Sequence, residues 1–276
     1  MNFSLDDKKI GFIGLGNMGQ AILKALMDSQ TLQASQVYVH NRTPGKTQKM
    51  VTRFGVHSVD TPEELVEKSD IVILATKPQD LLALLEPLRN TFTDEKVAIS
   101  LAAGIELSTL KKYMPDAQLV RVMPNTPIFI CKAVIGFCLK EPNLVLENLI
   151  KKLFTPLGFV VSTEEGEEFS SLMVASASGT GFILELMKYW QDWIEEYGIE
   201  PEIARKIVTE TFLGTAQLAA DNPEVTFNQH TVRVASKKGV TAAGLASMRE
   251  LELEGILRMS FNKALMRNHE LAKENS

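Results

Sequence analysis

Short apolar runs alternate with amphipathic helical patterns along the chain, up to about residue 162. The runs that predict β-strands are 10–13, 36–43, 55–58, 70–75, 96–104, 118–127, 133–139 and 158–162. Helical patterns cover 20–26, 46–54 and 143–154, and a further helix starts at Thr61. This alternation is typical of a parallel β-sheet with helices on its faces.

From Phe169 onwards the periodicity is helical, with hardly any strand pattern. The predicted helices are 169–197, 200–220, 227–235, 241–252 and 256–272. An acidic stretch, 163–168, separates the two patterns, so we expect an α/β domain over 1–163 and an all-helical domain over 164–276. Apolar residues occupy more than one face of the first long helix and must be covered by something. We therefore predict a homodimer that interleaves these helices.

A glycine pattern follows the first apolar run. Gly14, Gly16 and Gly19 form Gly-x-Gly-x-x-Gly between a strand and a helix, which is the arrangement of a dinucleotide-binding turn. Gly14 would permit the tight turn, Gly16 the approach of a pyrophosphate, and Gly19 the close packing of the helix. Such turns also occur where nothing binds, but the position directly after the first strand favours a nucleotide site.

The loop after the second strand bears on the choice of cofactor. Enzymes that prefer NAD place an acidic residue there, about 20 residues past the glycines, to bind the ribose 2′-hydroxyl. This chain has Asn41, Arg42 and Thr43 instead. Donors and a positive charge suit a 2′-phosphate, which favours NADP(H); the alternative is that Arg42 is a solvated loop residue. His40 could touch the adenine, although a single histidine in a loop is more often incidental.

Polar residues follow several other predicted strands. Because ligands bind at the carboxyl ends of parallel strands, Lys77 is placed to meet the cofactor, unless it is only a surface lysine. Pro124 and Pro127 bracket Asn125 and Thr126. They stiffen a loop that would suit a flat ring, or they only shape a turn.

A glycine-bearing turn in the second half also offers polar groups. Ser236 and Thr241 flank Gly239 just before a predicted helix. Hydroxyls and backbone N–H groups would converge there and suit a carboxylate. A plain capped helix start explains the same residues about equally well.

Composition excludes several classes of function. The net charge is −5 without a lysine-arginine block, which argues against nucleic acid as a partner. The polar N-terminus does not resemble a signal peptide, and no apolar run approaches the length of a bilayer, so we expect a soluble cytoplasmic protein. Cys131 and Cys138 have no partners at metal spacing and are interpreted as small buried residues without a disulfide. No metal site is expected.

Together these stretches resemble the pyrroline-5-carboxylate reductase family, along essentially the whole chain. The specific parts are Phe12–Gly19, Asn41–Thr43, Ala75–Gln79, Ser100–Ile105 and Arg121–Pro127. The Met-Pro-Asn-Thr-Pro sequence in the last of these is rare elsewhere. The resemblance implies a Rossmann-type N-terminal domain, an interleaved all-helical dimerisation domain and often a ring of five dimers. It also implies NADPH-dependent reduction of 1-pyrroline-5-carboxylate to L-proline.

The resemblance further implies roles for individual residues. The cofactor-binding residues would be Gly14, Leu15, Gly16, Asn17, Met18, Gly19, Asn41, Arg42, Thr43, Ala75, Thr76, Lys77, Pro78, Ala102 and Ala103. The substrate-binding residues would be Met123, Asn125, Ser236, Gly239, Val240 and Thr241. The Thr241 hydroxyl would lie near the ring nitrogen and act as the catalytic group. Reducing a cyclic iminium needs little acid-base help, which agrees with four histidines that form no cluster with Asp or Ser.

The chain departs from the family pattern in its second half. Ser236–Thr241 reads Ser-Lys-Lys-Gly-Val-Thr where the family usually shows Ser-Pro-Gly-Gly-Thr-Thr, and Ser176–Phe182 lacks the usual Gly-Pro. Met173 and Pro62 stand where threonine and asparagine are common. Lys238 occupies a glycine position, so we expect either backbone strain or a stronger carboxylate site.

Two other functions remain open. A β-hydroxyacid dehydrogenase would carry a lysine where this chain has Glu185, with Lys188 nearly a helical turn further on. A dimeric NADPH-binding sensor or partner protein that has lost its substrate pocket would explain Thr180, Lys237 and Lys238. The retained Ser236, Gly239 and Thr241 argue against such a protein.

Overall fold

The computed structural model describes residues 5–275. Its N-terminal part contains an eight-stranded sheet in the order β3-β2-β1-β4-β5-β6-β7-β8. The strands are β1 (Ile10–Ile13), β2 (Val37–His40), β3 (His57–Ser58), β4 (Ile71–Leu74), β5 (Val97–Ser100), β6 (Gln118–Pro124), β7 (Ala133–Leu139) and β8 (Gly158–Ser162). Neighbouring strands from β3 to β6 are parallel, β7 is antiparallel to β6, and β8 is parallel to β7. The predicted α/β fold class is confirmed.

Among the described residues, seven helices alternate with or follow the strands of the sheet region. They are α1 (Asn17–Asp28), α2 (Pro44–Phe54), α3 (Pro62–Lys68), α4 (Pro78–Leu85), α5 (Leu107–Tyr113), α6 (Leu144–Phe154) and α7 (Glu167–Met173). Proline at the first position begins α2, α3 and α4, where its missing N–H has no helical partner to lose. The prediction missed α4 and α5, because each is short and starts within a few residues of a strand.

Three central strands are buried on both faces, which explains their unbroken apolar runs. Every residue of β1, β4 and β5 is buried. The order in which strands are added to the sheet reverses between β1 and β4. Strands β2 and β3 lie on one side of β1, and the chain then crosses to the other side of β1 to form β4. Such a switch point opens a crevice at the carboxyl ends of the strands, where ligands bind in folds of this kind.

Residues 5–178 with 264–275 form one compact unit, and 179–263 form a second. The predicted domain boundary, between 163 and 164, is a division by sequence pattern, and it stays a prediction. The compact units divide after residue 178 instead, and the chain returns to the first unit at residue 264. The helices after α7 are α8 (Gly179–Glu195), α9 (Pro201–Ala220), α10 (Phe227–Val234), α11 (Val240–Glu250) and α12 (Leu253–Glu274). The predicted helix 169–197 spans most of α7, the stretch Val174–Ser178 and α8, and the other four predicted helices agree with α9 to α12 to within three residues.

The second unit leaves much apolar surface uncovered in the single chain. Only Gly179, Ala204 and Val208 are buried on α8 and α9. Exposed large side chains include Leu184, Trp190, Trp193, Ile203, Leu213 and Leu218. An apolar patch of this extent is rare on a protein that works alone, so these helices need a covering surface.

The segment Glu167–Glu195 is one run of 29 helical residues. It joins α7 and α8 through a π-helical stretch, Val174–Ser178. By length and composition it could cross a membrane, with a mean hydropathy of 1.3 over its best window. The expectation that no apolar run approaches bilayer length was therefore wrong. A single helix of this kind is weak evidence for a membrane span.

The two cysteines are free, but only one is fully buried. Cys138 lies in β7, and burial raises the pKa of its thiol to about 12, although Arg121 opposes part of that rise. Cys131 is half-buried and has a left-handed backbone, with φ at 56°. The interpretation of both as buried residues is corrected for Cys131, which ends a 3₁₀ turn at the surface.

Candidate active site

The glycine turn between β1 and α1 has the geometry that the sequence predicts. Gly14 has a φ of 98°, and a Cβ there would lie 2.8 Å from the backbone of Ala75. A Cβ on Gly19 would collide with the carbonyl oxygen of Gly14. A Cβ on Gly16 would meet nothing within 4 Å. Gly14 and Gly19 are thus required by the fold, whereas Gly16 keeps open the space in front of the helix.

The N-terminus of α1 is free to receive an anion. Gly16 is its N-cap residue and makes no side-chain cap, and the first turn contains no acidic residue. The first N–H groups of a helix have no helical acceptor and carry the positive end of the helix dipole. Together with the open space at Gly16, this arrangement fits a pyrophosphate.

The end of β2 supports the glycine turn from the side. The N–H of Gly14 donates to the carbonyl of His40 at 3.0 Å. The N–H of Leu15 donates to Oδ1 of Asn41 at 2.8 Å, and Nδ2 of Asn41 donates to the carbonyl of Thr43 at 3.1 Å. Asn41 therefore uses both ends of its amide to hold the loops around the cavity.

A cavity of about 440 Å³ opens in front of this turn, in the N-terminal unit. Its lining includes the predicted residues Gly14, Gly16, Asn41, Arg42, Thr43, Ala75, Thr76 and Lys77. Three cationic side chains, Arg42, Lys46 and Lys77, line it together with a single acid, Asp80. The balance of charge favours a ligand with several phosphates.

The lining also contains residues that were not predicted to bind the cofactor, among them Lys46 and His40. Lys46 lies in the first turn of α2, on the same side as Arg42, and its place could have been inferred once α2 was known to begin at Pro44. His40 was interpreted as incidental, yet it lines the cavity. Its Nδ1 lies 3.2 Å from the carbonyl oxygen of Val59.

Thr76 holds an unused polar atom in the cavity wall. Its Oγ1 is buried and has no hydrogen-bond partner among the described residues. Buried hydroxyls are normally satisfied, so an orphan at a ligand cavity fits a donor or acceptor that the ligand completes. Ala102 and Ala103 do not line this cavity; the N–H of Ala102 donates to Oγ of Ser100 at 3.3 Å, just after β5.

The predicted substrate loop is anchored within the N-terminal unit. Met123 is buried in β6. Oδ1 of Asn125 accepts from the N–H of Val134 at 2.9 Å, and its Nδ2 donates to the carbonyl of Ser176 at 3.3 Å. In this arrangement Asn125 ties the loop after β6 to β7 and to the π-helical stretch.

A buried ion pair fixes the strand that carries this loop. Nη1 of Arg121 donates to Oε1 of Glu165 at 2.7 Å, with 7% and 25% of the two side chains exposed. The same carboxylate oxygen accepts from the N–H of Leu107 at 2.8 Å, at the start of α5. Arg121 also lies over the ring of Phe169, at 4.8 Å. Glu165 thus joins β6 to the loop that contains Ala102 and Ala103.

Comparison with known proteins places this architecture in a family. Residues 9–104 match a family model described as NADP oxidoreductase, coenzyme F420-dependent, and residues 166–271 match one described as pyrroline-5-carboxylate reductase dimerisation. The chain is 30% identical to the pyrroline-5-carboxylate reductase of Vibrio alginolyticus, covering 98% of this chain and 99% of that one. This chain belongs to the pyrroline-5-carboxylate reductase family.

Other members of the family agree over the same length. The enzyme of Pasteurella multocida is 28% identical, covering 96% of this chain and 98% of that one. The structure of the Coxiella burnetii protein superposes with a TM-score of 0.86 at 28% identity, covering 98% and 99% of the two chains. The Plasmodium falciparum protein, solved with NADP bound, gives 0.86 at 20% identity over 98% and 100%. The resemblance drawn from the sequence is confirmed.

The family's glycine-rich turn has an unusual backbone in this chain. Lys238 has a φ of 61°, in the left-handed region that favours glycine, which agrees with the first of the two expectations for this position, backbone strain. Gly239 follows as the N-cap of α11, and a Cβ there would collide with Oγ of Ser236. Neither a side-chain cap nor an acidic residue occupies the first turn of α11, where Val240 and Thr241 are exposed.

The lysine of the dehydrogenase alternative is engaged elsewhere. Lys188 forms an exposed ion pair with Asp192 at 2.7 Å, which raises the pKa of its ammonium group. Glu185 stands at the place where a β-hydroxyacid dehydrogenase would carry lysine, and its carboxylate cannot replace a lysine ammonium group as a proton donor. Both observations weigh against that reaction.

Proposed function

We propose that this protein reduces 1-pyrroline-5-carboxylate to L-proline, using NADPH. The observation that carries the proposal is the open space at Gly16 in front of α1, in a chain that matches a pyrroline-5-carboxylate reductase over 98% of its length. When bound, NADPH supplies the hydride for the imine carbon. The protein then has to hold both reactants and leave the proton of the iminium nitrogen in place.

The cofactor roles follow from the N-terminal unit. The N–H groups of Asn17, Met18 and Gly19 would bind the pyrophosphate, with the N–H of Leu15 already donated to Asn41. Arg42 and Thr43 would bind the 2′-phosphate, with Lys46 added to the predicted set. Ala75, Thr76, Lys77 and Pro78 would contact the cofactor at the end of β4, and Ala102 and Ala103 at the end of β5. Lys77 would contribute its ammonium, and Thr76 its unpartnered hydroxyl.

The substrate roles fall on the turn before α11. Ser236, Gly239 and Val240 would bind the carboxylate through hydroxyl and backbone groups, and the Thr241 hydroxyl would orient the ring nitrogen. Because an iminium is already electrophilic, orientation would supply most of the rate and no histidine base is required. Met123 and Asn125 would shape the surface near the ring; Asn125 would do so by holding its loop in place.

The assembly we propose is a homodimer formed by the helices from 166 to 271, which match the dimerisation model. The uncovered side chains Trp190 and Trp193 would be buried in it. A ring of five such dimers, which the resemblance implies, and a cytoplasmic location, which the sequence leads us to expect, complete the proposal. A second candidate function, an NADPH-binding protein without reductase activity, is favoured by Thr180, Lys237 and Lys238, the last of which has a left-handed backbone.

An activity assay separates these candidates. The purified protein is incubated with NADPH and 1-pyrroline-5-carboxylate, and absorbance of NADPH is followed beside a blank without substrate. A six-membered cyclic imino acid serves as the second substrate. The proposal expects oxidation of NADPH with the five-membered ring and formation of L-proline in equal amount. NADPH binding without turnover of either ring would support the non-enzymatic candidate.

A further inference from the structure

His40 is fixed in one ring orientation at the end of β2. Its Nδ1 lies 3.2 Å from the carbonyl oxygen of Val59, and a carbonyl can only accept. Nδ1 must therefore carry the proton in the neutral ring. The other nitrogen, Nε2, has no hydrogen-bond partner among residues 5–275, which leaves it available as an acceptor when neutral and as a donor when protonated.

The same residue lines the cavity that contains three cationic side chains. His40 lines it beside Arg42 and Lys46, while Lys77 and Asp80 are the other charged groups in the lining. The end of the second strand is where folds of this kind bind the adenosine ribose. Under the proposed function, this is where the 2′-phosphate of NADP(H) would lie.

We propose that His40 takes up a proton when a 2′-phosphate binds, and that its Nε2–H then donates to a phosphate oxygen. This inference rests on the proposed NADP(H) site. The proton comes from solvent and moves to Nε2, while Nδ1–H stays on the Val59 carbonyl, so no other bond changes. His40 is thus a determinant of cofactor choice that depends on pH.

The direction of the pH effect follows from charge. Histidine side chains gain a proton between about pH 8 and pH 5, and an imidazolium stabilises a phosphate dianion that a neutral ring does not. The preference for a 2′-phosphate should therefore grow as the pH falls from 8.5 towards 6.5. NAD(H) has a hydroxyl at this position, so its affinity should change little over the same range.

Calorimetric titration with adenosine 2′,5′-bisphosphate, and with 5′-AMP as its matched ligand, measures the proton directly. Titrations at pH 7.5 in two buffers with different enthalpies of ionisation give the number of protons taken up on binding. The variants are His40→Gln and, as a control, His57→Gln. His57 is exposed in β3, stacks on Tyr38 at 5.1 Å and does not line the cavity.

The wild type and His57→Gln should take up protons with the bisphosphate and none with 5′-AMP. His40→Gln should lose this uptake and bind the bisphosphate about ten-fold more weakly at pH 6.5, with little change at pH 8.5. A titrating phosphate cannot imitate the result, because a cationic site draws a proton off the phosphate and gives release rather than uptake.

The two ways of failing are distinguishable. If the bisphosphate binds better than 5′-AMP but proton uptake is the same in wild type and His40→Gln, the role of His40 is wrong and the 2′-phosphate site stands. If the two ligands bind equally at every pH, the proposed NADP(H) site itself is wrong.

Discussion

Oδ1 of Asn41 accepts the backbone N–H of Leu15 at 2.8 Å, across 26 residues of sequence. This bond links the loop that would choose between NADP(H) and NAD(H) to the turn that would bind the pyrophosphate. Nδ2 of Asn41 holds the carbonyl of Thr43 at the same time. The amide therefore positions two parts of the predicted cofactor site, and it keeps a second N–H that can still reach a ligand.

Two substitutions of Asn41 should distinguish its positioning role from an effect on the 2′-phosphate. Asn41→Ala frees the Leu15 N–H and the Thr43 carbonyl, so affinity for NADPH and for NADH should fall by a similar factor, about ten-fold each. Asn41→Asp keeps an acceptor for Leu15 but places a negative charge beside the 2′-phosphate, so NADPH should lose more affinity than NADH. The dissociation constants of NADPH and NADH, measured by quenching of protein fluorescence on each variant, test both expectations. A loss confined to NADPH in Asn41→Ala would contradict the positioning role.

The glycines of the turn should respond differently to alanine. Gly16→Ala adds a methyl group to open space at a φ of −70°, so the free energy of unfolding should stay within about 0.5 kcal/mol while NADPH affinity falls. Gly19→Ala drives a methyl group into the carbonyl of Gly14 and should cost about 2 kcal/mol of stability. Denaturant unfolding without cofactor measures both. Equal destabilisation by the two variants would argue against this division of roles.

The strain at Lys238 predicts a stabilising substitution. Lys238→Gly removes a side chain from a left-handed backbone and should raise the free energy of unfolding by about 0.5–1 kcal/mol. Lys237→Gly, beside it and without a positive φ, should lower it by a similar amount. The KM for 1-pyrroline-5-carboxylate, measured on both variants, reports whether either ammonium helps to bind the carboxylate. A lower melting temperature for Lys238→Gly would show that the turn is unstrained.

The cysteines should differ sharply in reactivity. Burial raises the pKa of the Cys138 thiol to about 12, so almost no thiolate forms at pH 8, whereas Cys131 is half-buried at the surface. In the native protein a maleimide reagent at pH 8 should label one thiol per chain, and Cys131→Ser should abolish the reaction. Mass spectrometry after labelling in denaturant should find two. Rapid labelling of Cys138 in the native Cys131→Ser variant would mean that β7 opens readily.

The sequence predicted the sheet region well where local pattern decides the structure. The bounds of β7 and β8 are those predicted, because each is an apolar run closed by polar residues. The direction of β7 was not predictable, since periodicity carries no sign of chain direction. The glycine roles followed from motif spacing, and the left-handed Lys238 from its departure from the family pattern.

Other parts of the site depend on contacts that sequence spacing does not reveal. Arg121 and Glu165 meet across 44 residues, so their pairing needs the folded sheet. Lys46 was missed because it lies inside a helix pattern, where a lysine is usually solvated. Asn125 was expected to touch substrate, yet its amide is bonded to Val134 and Ser176. Sequence alone therefore could not show that Asn125 stabilises the loop after β6 through its own hydrogen bonds.

The most direct test of the account follows the hydride. The protein is supplied with NADPH carrying deuterium at the transferable position of the nicotinamide and with 1-pyrroline-5-carboxylate, and the product is analysed by mass spectrometry. The account predicts L-proline with one deuterium on the ring carbon that was double-bonded to nitrogen, and a much lower rate for Thr241→Ala with NADPH affinity unchanged. Oxidation of NADPH without label in proline, or no turnover by a protein that binds NADPH, would contradict it.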